Sequence, residues 1–141
     1  MSQTGLAAFD TTLQVTNVWL KDLGESMGWS DRHKAYHALR AVLHVLRDHL
    51  TIDEVVTLGA QLPLLVRGMY YEGWHPANKP LKDRHKGEFL ARVAEQFRNH
   101  PEVQPELVTR AVFAVLARHI TSGEMEGIKK ALPHEIQDLW S

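Results

Sequence analysis

A chain of 141 residues, 44% hydrophobic and 23% charged, has ordinary globular composition, and at this length folding buries about 70% of the unfolded surface. Its formal net charge of −1 argues against a dedicated nucleic-acid binder, whose footprint is a strongly basic domain, and the absence of cysteine excludes disulfides, thiolate metal sites and cysteine nucleophiles. No run approaches the roughly 18 apolar residues of a membrane span, and Met1 to Phe9 lacks the basic and apolar regions of a secretory signal, so a cytoplasmic protein without membrane insertion is expected.

In chain order, Leu6, Phe9, Leu13, Thr16, Leu20 and Leu23 recur at steps of three and four, with Trp19 alongside, and predict a first helix from about Gly5 to Leu23. Gly24 to Ser30 reads as a break. A long helix follows from about Asp31 to Leu50, with Ala35, Leu39, Val42, Leu43, Val45, Leu46 and Leu50 on one side and His33, His37, Arg40, His44, Arg47 and Asp48 on the other. Thr51 with Glu54 has the spacing of a capping box, in which each side chain bonds the other residue's backbone N–H, so a new helix is expected there. Pro63, which fits a first helical turn but not a helix interior, opens the next helix, ending near Tyr71. After a linker, helices are expected from about Glu88 to Arg98 and from Pro105 to His119. Thr121 with Glu124 repeats the capping-box spacing, and Pro133 opens a last helix to Trp140.

These elements come in two sets. Arg40 to Pro63 and Arg110 to Pro133, seventy positions apart, share ten identities in 24 ungapped positions, against roughly one in twenty by chance. The shared residues include Arg40 and Arg110, His49 and His119, Thr51 and Thr121, Glu54 and Glu124, and Pro63 and Pro133. We therefore expect an all-α fold of about eight helices, two tandem pseudo-repeats of four, packed into one domain over residues 1–141. The repeats span about 5–73 and 88–141, joined by a Pro- and Gly-containing linker over 74–87. From His75 to Gly87 that linker carries four Lys or Arg against one Asp, whereas each flank carries six positive and eight negative charges.

Several ordered phrases carry a resemblance: Arg40-Ala-Val-Leu, the Ala-Gln-Leu-Pro of 60–63, Gly73-Trp74-His75-Pro76 followed by Pro80, Glu88-Phe89-Leu90, and the closing Leu-Pro-x-x-Ile-x-x-Leu-Trp of 132–140. Over nearly its whole length the chain resembles the bacterial family catalogued as domain of unknown function 2267 (DUF2267). The resemblance implies a small, all-helical bacterial protein. It brings no catalytic residues with it.

Chemistry must then come from the side chains. His33, His37 and His44 fall within about 40° on one helix face, and the spacing of His33 to His37 is one a helix offers a metal ion. His44, however, sits about 10 Å further along the axis than His37, so the three cannot share one ion directly, and a solvated polar face is the competing explanation. The repeated His49 and His119 fit helix-end structural groups, or a paired pH sensor. Arg40 and Arg110 fit ion pairs with nearby acids, or an anion site. Tyr70, Trp74 and Trp140 fit packing positions whose exposed members would mark a partner surface.

No phosphate loop, dinucleotide fingerprint or nucleophile elbow occurs. Catalytic residues are therefore not assigned, and no cofactor is expected. A non-enzymatic protein-interaction or self-association module is expected. The alternatives are a small-molecule or metal-binding protein, possibly an enzyme, using the groove between repeats, and a nucleic-acid accessory factor using the basic linker.

Overall fold

Local backbone chemistry decides where each helix starts and stops. In the computed structural model, which describes residues 2–141, Gly28 adopts φ +70° and ends α1 (Ala7–Met27), with the Trp29 N–H returning to the Gly24 carbonyl at 2.8 Å. Met1, the first residue of the segment read for a leader, lies outside those residues. Asp31 caps α2 (Arg32–Asp48) by accepting from the His33 N–H at 2.9 Å. The chain continues through α3 (Ile52–Ala60), α4 (Leu64–Tyr71), α5 (Lys86–Gln96), α6 (Pro105–His119), α7 (Ser122–Lys130) and α8 (His134–Gln137), and ends in a 3-10 turn at Asp138–Trp140. The described residues contain eight α-helices and no strand.

Two helices make the centre. α2 packs against α1, α4, α5 and α6, and α6 packs against α1, α2, α5, α7 and the closing 3-10 turn. Contacted on several sides, α2 buries Ala35, Ala38, Leu39, Ala41, Val42, Leu43, Val45 and Leu46, more than the single stripe its periodicity predicts. α1 and α5 each pack against both α2 and α6. One hydrophobic cluster results, running from Trp19 and Leu43 through Phe89 and Phe113 to Ile136 and Leu139.

Three expectations are corrected. The first helix runs to Met27, so Gly24 is a buried helical residue rather than a break, and its inward face is Thr12, Thr16, Trp19, Leu23 and Gly24. Leu6 and Phe9, expected inside, are each 49% exposed. The rotation has two causes: the bulky Trp19 is buried, and Thr12 turns inward to accept the Leu65 N–H at 3.1 Å. Pro63 and Pro133 sit one position earlier than expected, as caps of α4 and α8.

The two capping boxes also differ. Thr51 forms both reciprocal bonds, its own N–H to Glu54 at 2.8 Å and its hydroxyl accepting from the Glu54 N–H at 3.3 Å, whereas Thr121 makes no side-chain cap bond. Thr51→Ala is therefore expected to cost about 1 kcal/mol in urea unfolding, and Thr121→Ala only a few tenths. Equal losses would show that the hydrogen bonds do not decide the difference.

Candidate functional site

The polar side of α2 is mostly engaged with neighbouring helix ends. An α-helix leaves its last four carbonyls without intrahelical partners, and α2 supplies donors to those of α4. His44 donates from Nε2 to the Met69 carbonyl at 2.6 Å, and Arg47 donates from one Nη to the carbonyls of Tyr70 at 2.8 Å and Glu72 at 3.0 Å. Burial pushes the His44 pKa below its ordinary value, which matches a neutral ring donating to a carbonyl. Arg47 is a buried cation, and its Nε also bonds the Asp48 carboxylate at 2.9 Å. His37 bonds the Gln96 carbonyl at the end of α5 at 2.9 Å, while His33 points to solvent.

The repeated arginines and histidines also find intramolecular partners. Arg40 pairs with Glu72 at 2.8 Å, and this holds the exposed Glu72 carboxyl below its usual range. Arg110 pairs with Glu106 at 2.9 Å and donates to the carbonyls of Asp138 and Ser141. His49 is buried, with Nδ1 facing the Val45 carbonyl at 2.7 Å and Nε2 facing the Asp83 carboxylate at 2.9 Å. Arg92 bonds the same carboxylate. His119, more exposed, bonds Asp22 at 2.6 Å and stacks on Trp19 at 5.1 Å between ring centroids; His49 lies 4.9 Å from the Phe89 ring.

The linker is thereby fastened to the helices. Leu81 donates its N–H to the Asp48 carbonyl at 2.8 Å, Asp83 reaches His49, and His85 bonds Glu135 of α8 at 2.8 Å. The Glu135 carboxylate beside it raises the pKa of the exposed His85. The linker's single acid is consumed inward, leaving Lys82 and Arg84 exposed.

Tyr70, Trp74 and Trp140 are all buried or partly buried packing groups. Tyr70 is fully buried, its hydroxyl donating to the Val55 carbonyl at 2.8 Å. Trp140 stacks on Phe113 at 4.0 Å, and Trp74 packs beside Tyr71. Tyr70 lies in the last turn of α4, Trp74 just beyond it, and Trp140 in the 3-10 turn after α8.

The exposed apolar surface lies elsewhere, on α1 and its flanks. Of the ten large apolar side chains left exposed among the described residues, Leu6, Phe9, Val15 and Val18 belong to α1 or its cap, and Tyr36, Leu64 and Leu65 line grooves beside it. One groove, about 680 Å³, runs between α1, α2 and α4 along Leu20, Tyr36, Leu65, Met69 and Tyr71. On the other flank a groove of about 530 Å³ is walled by Val15, Trp19, Leu64 and His119. Sequence periodicity placed Leu6 and Phe9 in the stripe of the first helix and did not assign Val15, Val18, Tyr36, Leu64 or Leu65 to a face. The pair Trp19 and Phe89, seventy positions apart and both buried, held the signal that orients the helix.

A smaller polar pocket of about 430 Å³ gathers His33, His37, His100 and Glu102. Among the described residues, no three His, Asp or Glu side chains are grouped so as to hold one metal ion. No described helix is long and apolar enough to cross a membrane. No curated protein matches the chain. The profile of a family described as an uncharacterized conserved protein matches residues 16–139, and on that match the chain belongs to the DUF2267 family.

Proposed function

We propose that this protein works by binding another protein chain, through the apolar face of α1 and α4, and that it is not an enzyme. The observation that carries this is the concentration of exposed apolar side chains: of the ten large ones among the described residues, seven lie on α1, at its cap or in the grooves along its two flanks. The histidines and arginines that suggested chemistry are spent largely on helix ends and ion pairs. The two halves are best understood as copies of one unit within a single domain over 1–141, supported by matching contacts seventy positions apart, His49 on Phe89 and His119 on Trp19. Duplication would supply the scaffold, and the α1 face, which extends nine residues beyond the part equivalent to α5, would supply the contact.

A photo-crosslinking amino acid placed at Leu65, and separately at the exposed Glu126, tests this. The expected result is a covalent adduct from position 65 in cells, identified by mass spectrometry as a protein, and none from position 126. Absence of any protein adduct at 65, or equal adducts at both positions, would overturn it. A small-molecule adduct at 65 would favour a ligand groove instead.

A further inference from the structure

A neutral imidazole carries one N–H and one lone pair, so it can serve one acceptor and one donor but not two acceptors. His49 meets two. Its Nδ1 lies 2.7 Å from the Val45 carbonyl, and its Nε2 lies 2.9 Å from a carboxylate oxygen of Asp83. The Val45 carbonyl belongs to the last turn of α2, and the His49 backbone N–H that would ordinarily reach it bonds Leu46 at 3.0 Å instead. Asp83, held down at about 2, is ionised through the neutral range and offers only lone pairs. With a neutral ring, one of these two contacts would set lone pair against lone pair. The His49 side chain is 1% exposed, so water has no room to relieve that conflict. A ring with hydrogens on both nitrogens satisfies both acceptors.

The same geometry does not recur at the other histidines whose partners are known among the described residues. His37 and His44 each face a single carbonyl, and His85, His100 and His119 each face a single carboxylate. One N–H is enough for each of them. His119, seventy positions from His49, therefore differs from its counterpart in what it asks of the ring.

The charges around His49 come from three elements. Asp83 on the linker is shared with Arg92 of α5, and Asp48 and Glu88 also act on Arg92. Arg47 on α2 bonds Asp48 at 2.9 Å, while Lys82 and Arg84, either side of Asp83, are exposed. Each buried arginine contact thus already has its acid, and His49 shares Asp83 with Arg92. Beside this point the Leu81 N–H bonds the Asp48 carbonyl at 2.8 Å, so the linker meets the end of α2 through Leu81 and Asp83 together. If the ring loses one hydrogen, either the end of α2 loses a donor or Asp83 loses its hold on α2.

We infer that His49 is a proton-dependent clasp: doubly protonated in the folded protein, it fastens the linker to the end of α2, and it releases that hold when the ring is deprotonated. The clasp stands at lower pH and lapses as the pH rises, the opposite sense to the acid loss of an ionised carboxylate.

Nitrogen-15 NMR of the histidine rings in the full chain tests it. At about pH 7.5, about one unit above the ordinary histidine value, the two His49 ring nitrogens are expected to show the nearly equal shifts of an imidazolium, and the same chain unfolded in urea the unequal shifts of a neutral ring. Asp83→Asn, which removes the charged acceptor, is expected to return the folded His49 ring to the neutral pattern at that pH. Hydrogen exchange of the Leu81 amide, corrected for its intrinsic rate, reads the clasp itself. Its protection is expected to fall at least about threefold between about pH 6 and pH 8.5 in the wild type, and to stay level in Asp83→Asn. A neutral His49 ring in the folded wild type would overturn the inference, as would an imidazolium that persists in Asp83→Asn. A protonated ring with Leu81 protection unchanged across the same range would overturn the clasp.

Discussion

Arg47→Met is expected to lower the unfolding free energy by about 3 kcal/mol, measured by urea unfolding at pH 7. Met replaces the apolar stem of Arg47 but not its guanidinium, so the loss combines the carbonyls left without a donor with the buried space the guanidinium vacates. Two carbonyls at the end of α4 lose their donor, and the buried Tyr70 carbonyl has little access to water as a replacement. Arg40→Met on the same helix makes the control. Arg40 bonds only the side chain of Glu72, which is 58% exposed, and its replacement should cost less than about 1 kcal/mol. Arg47→Lys should fall between the two, since an ammonium keeps the charge but cannot reproduce the planar fork that meets the two carbonyls and Asp48. Equal losses for Arg40 and Arg47 would mean that capping of α4 contributes little.

The second large effect is a dependence on acid. Hydrogen bonds from Arg92, together with His49, hold the Asp83 carboxyl down at about 2, against an ordinary value of 3.8. The unfolded chain therefore takes up this proton before the folded one. The stabilisation is fully present above pH 4, where the carboxylate is ionised in both states, and is lost as the pH falls through about 4 towards 2. With its side chain only 13% exposed, Asp83 is sheltered enough for the shift to correspond to about 2 kcal/mol at neutral pH. Asp83→Asn should be less stable than wild type by that amount at pH 7, and the difference should shrink towards zero near pH 2. A difference that stays constant with pH would assign the loss to packing alone.

Helix number and order were legible because their causes are local. Proline positions, capping threonines, Gly28 and the spacing of apolar residues each act within a few residues, and all eight helices lie close to where these cues place them. What was not legible depends on contacts between distant segments. Thr121 has a Glu three positions on, as Thr51 does, yet makes no side-chain cap bond. The polar side of α2 reads like a solvated face until α4 and α5 are laid against it, after which His37, His44 and Arg47 become donors to carbonyls 23 to 59 positions away. The α1 face shows the same limit from the other direction. Its apolar spacing predicts burial, and spacing alone cannot say whether the covering surface comes from within the chain or from outside it.

The packing of α1 on both α2 and α6 bears on the order in which the chain is made. During synthesis the first four helices are complete at Tyr71, but the surface that covers Trp19 includes α6 and His119, which follow some tens of residues later. At about 5–20 residues per second, Trp19 waits several seconds for that cover. The first four helices therefore cannot complete the burial of Trp19, and the native packing closes only after α6 has left the ribosome.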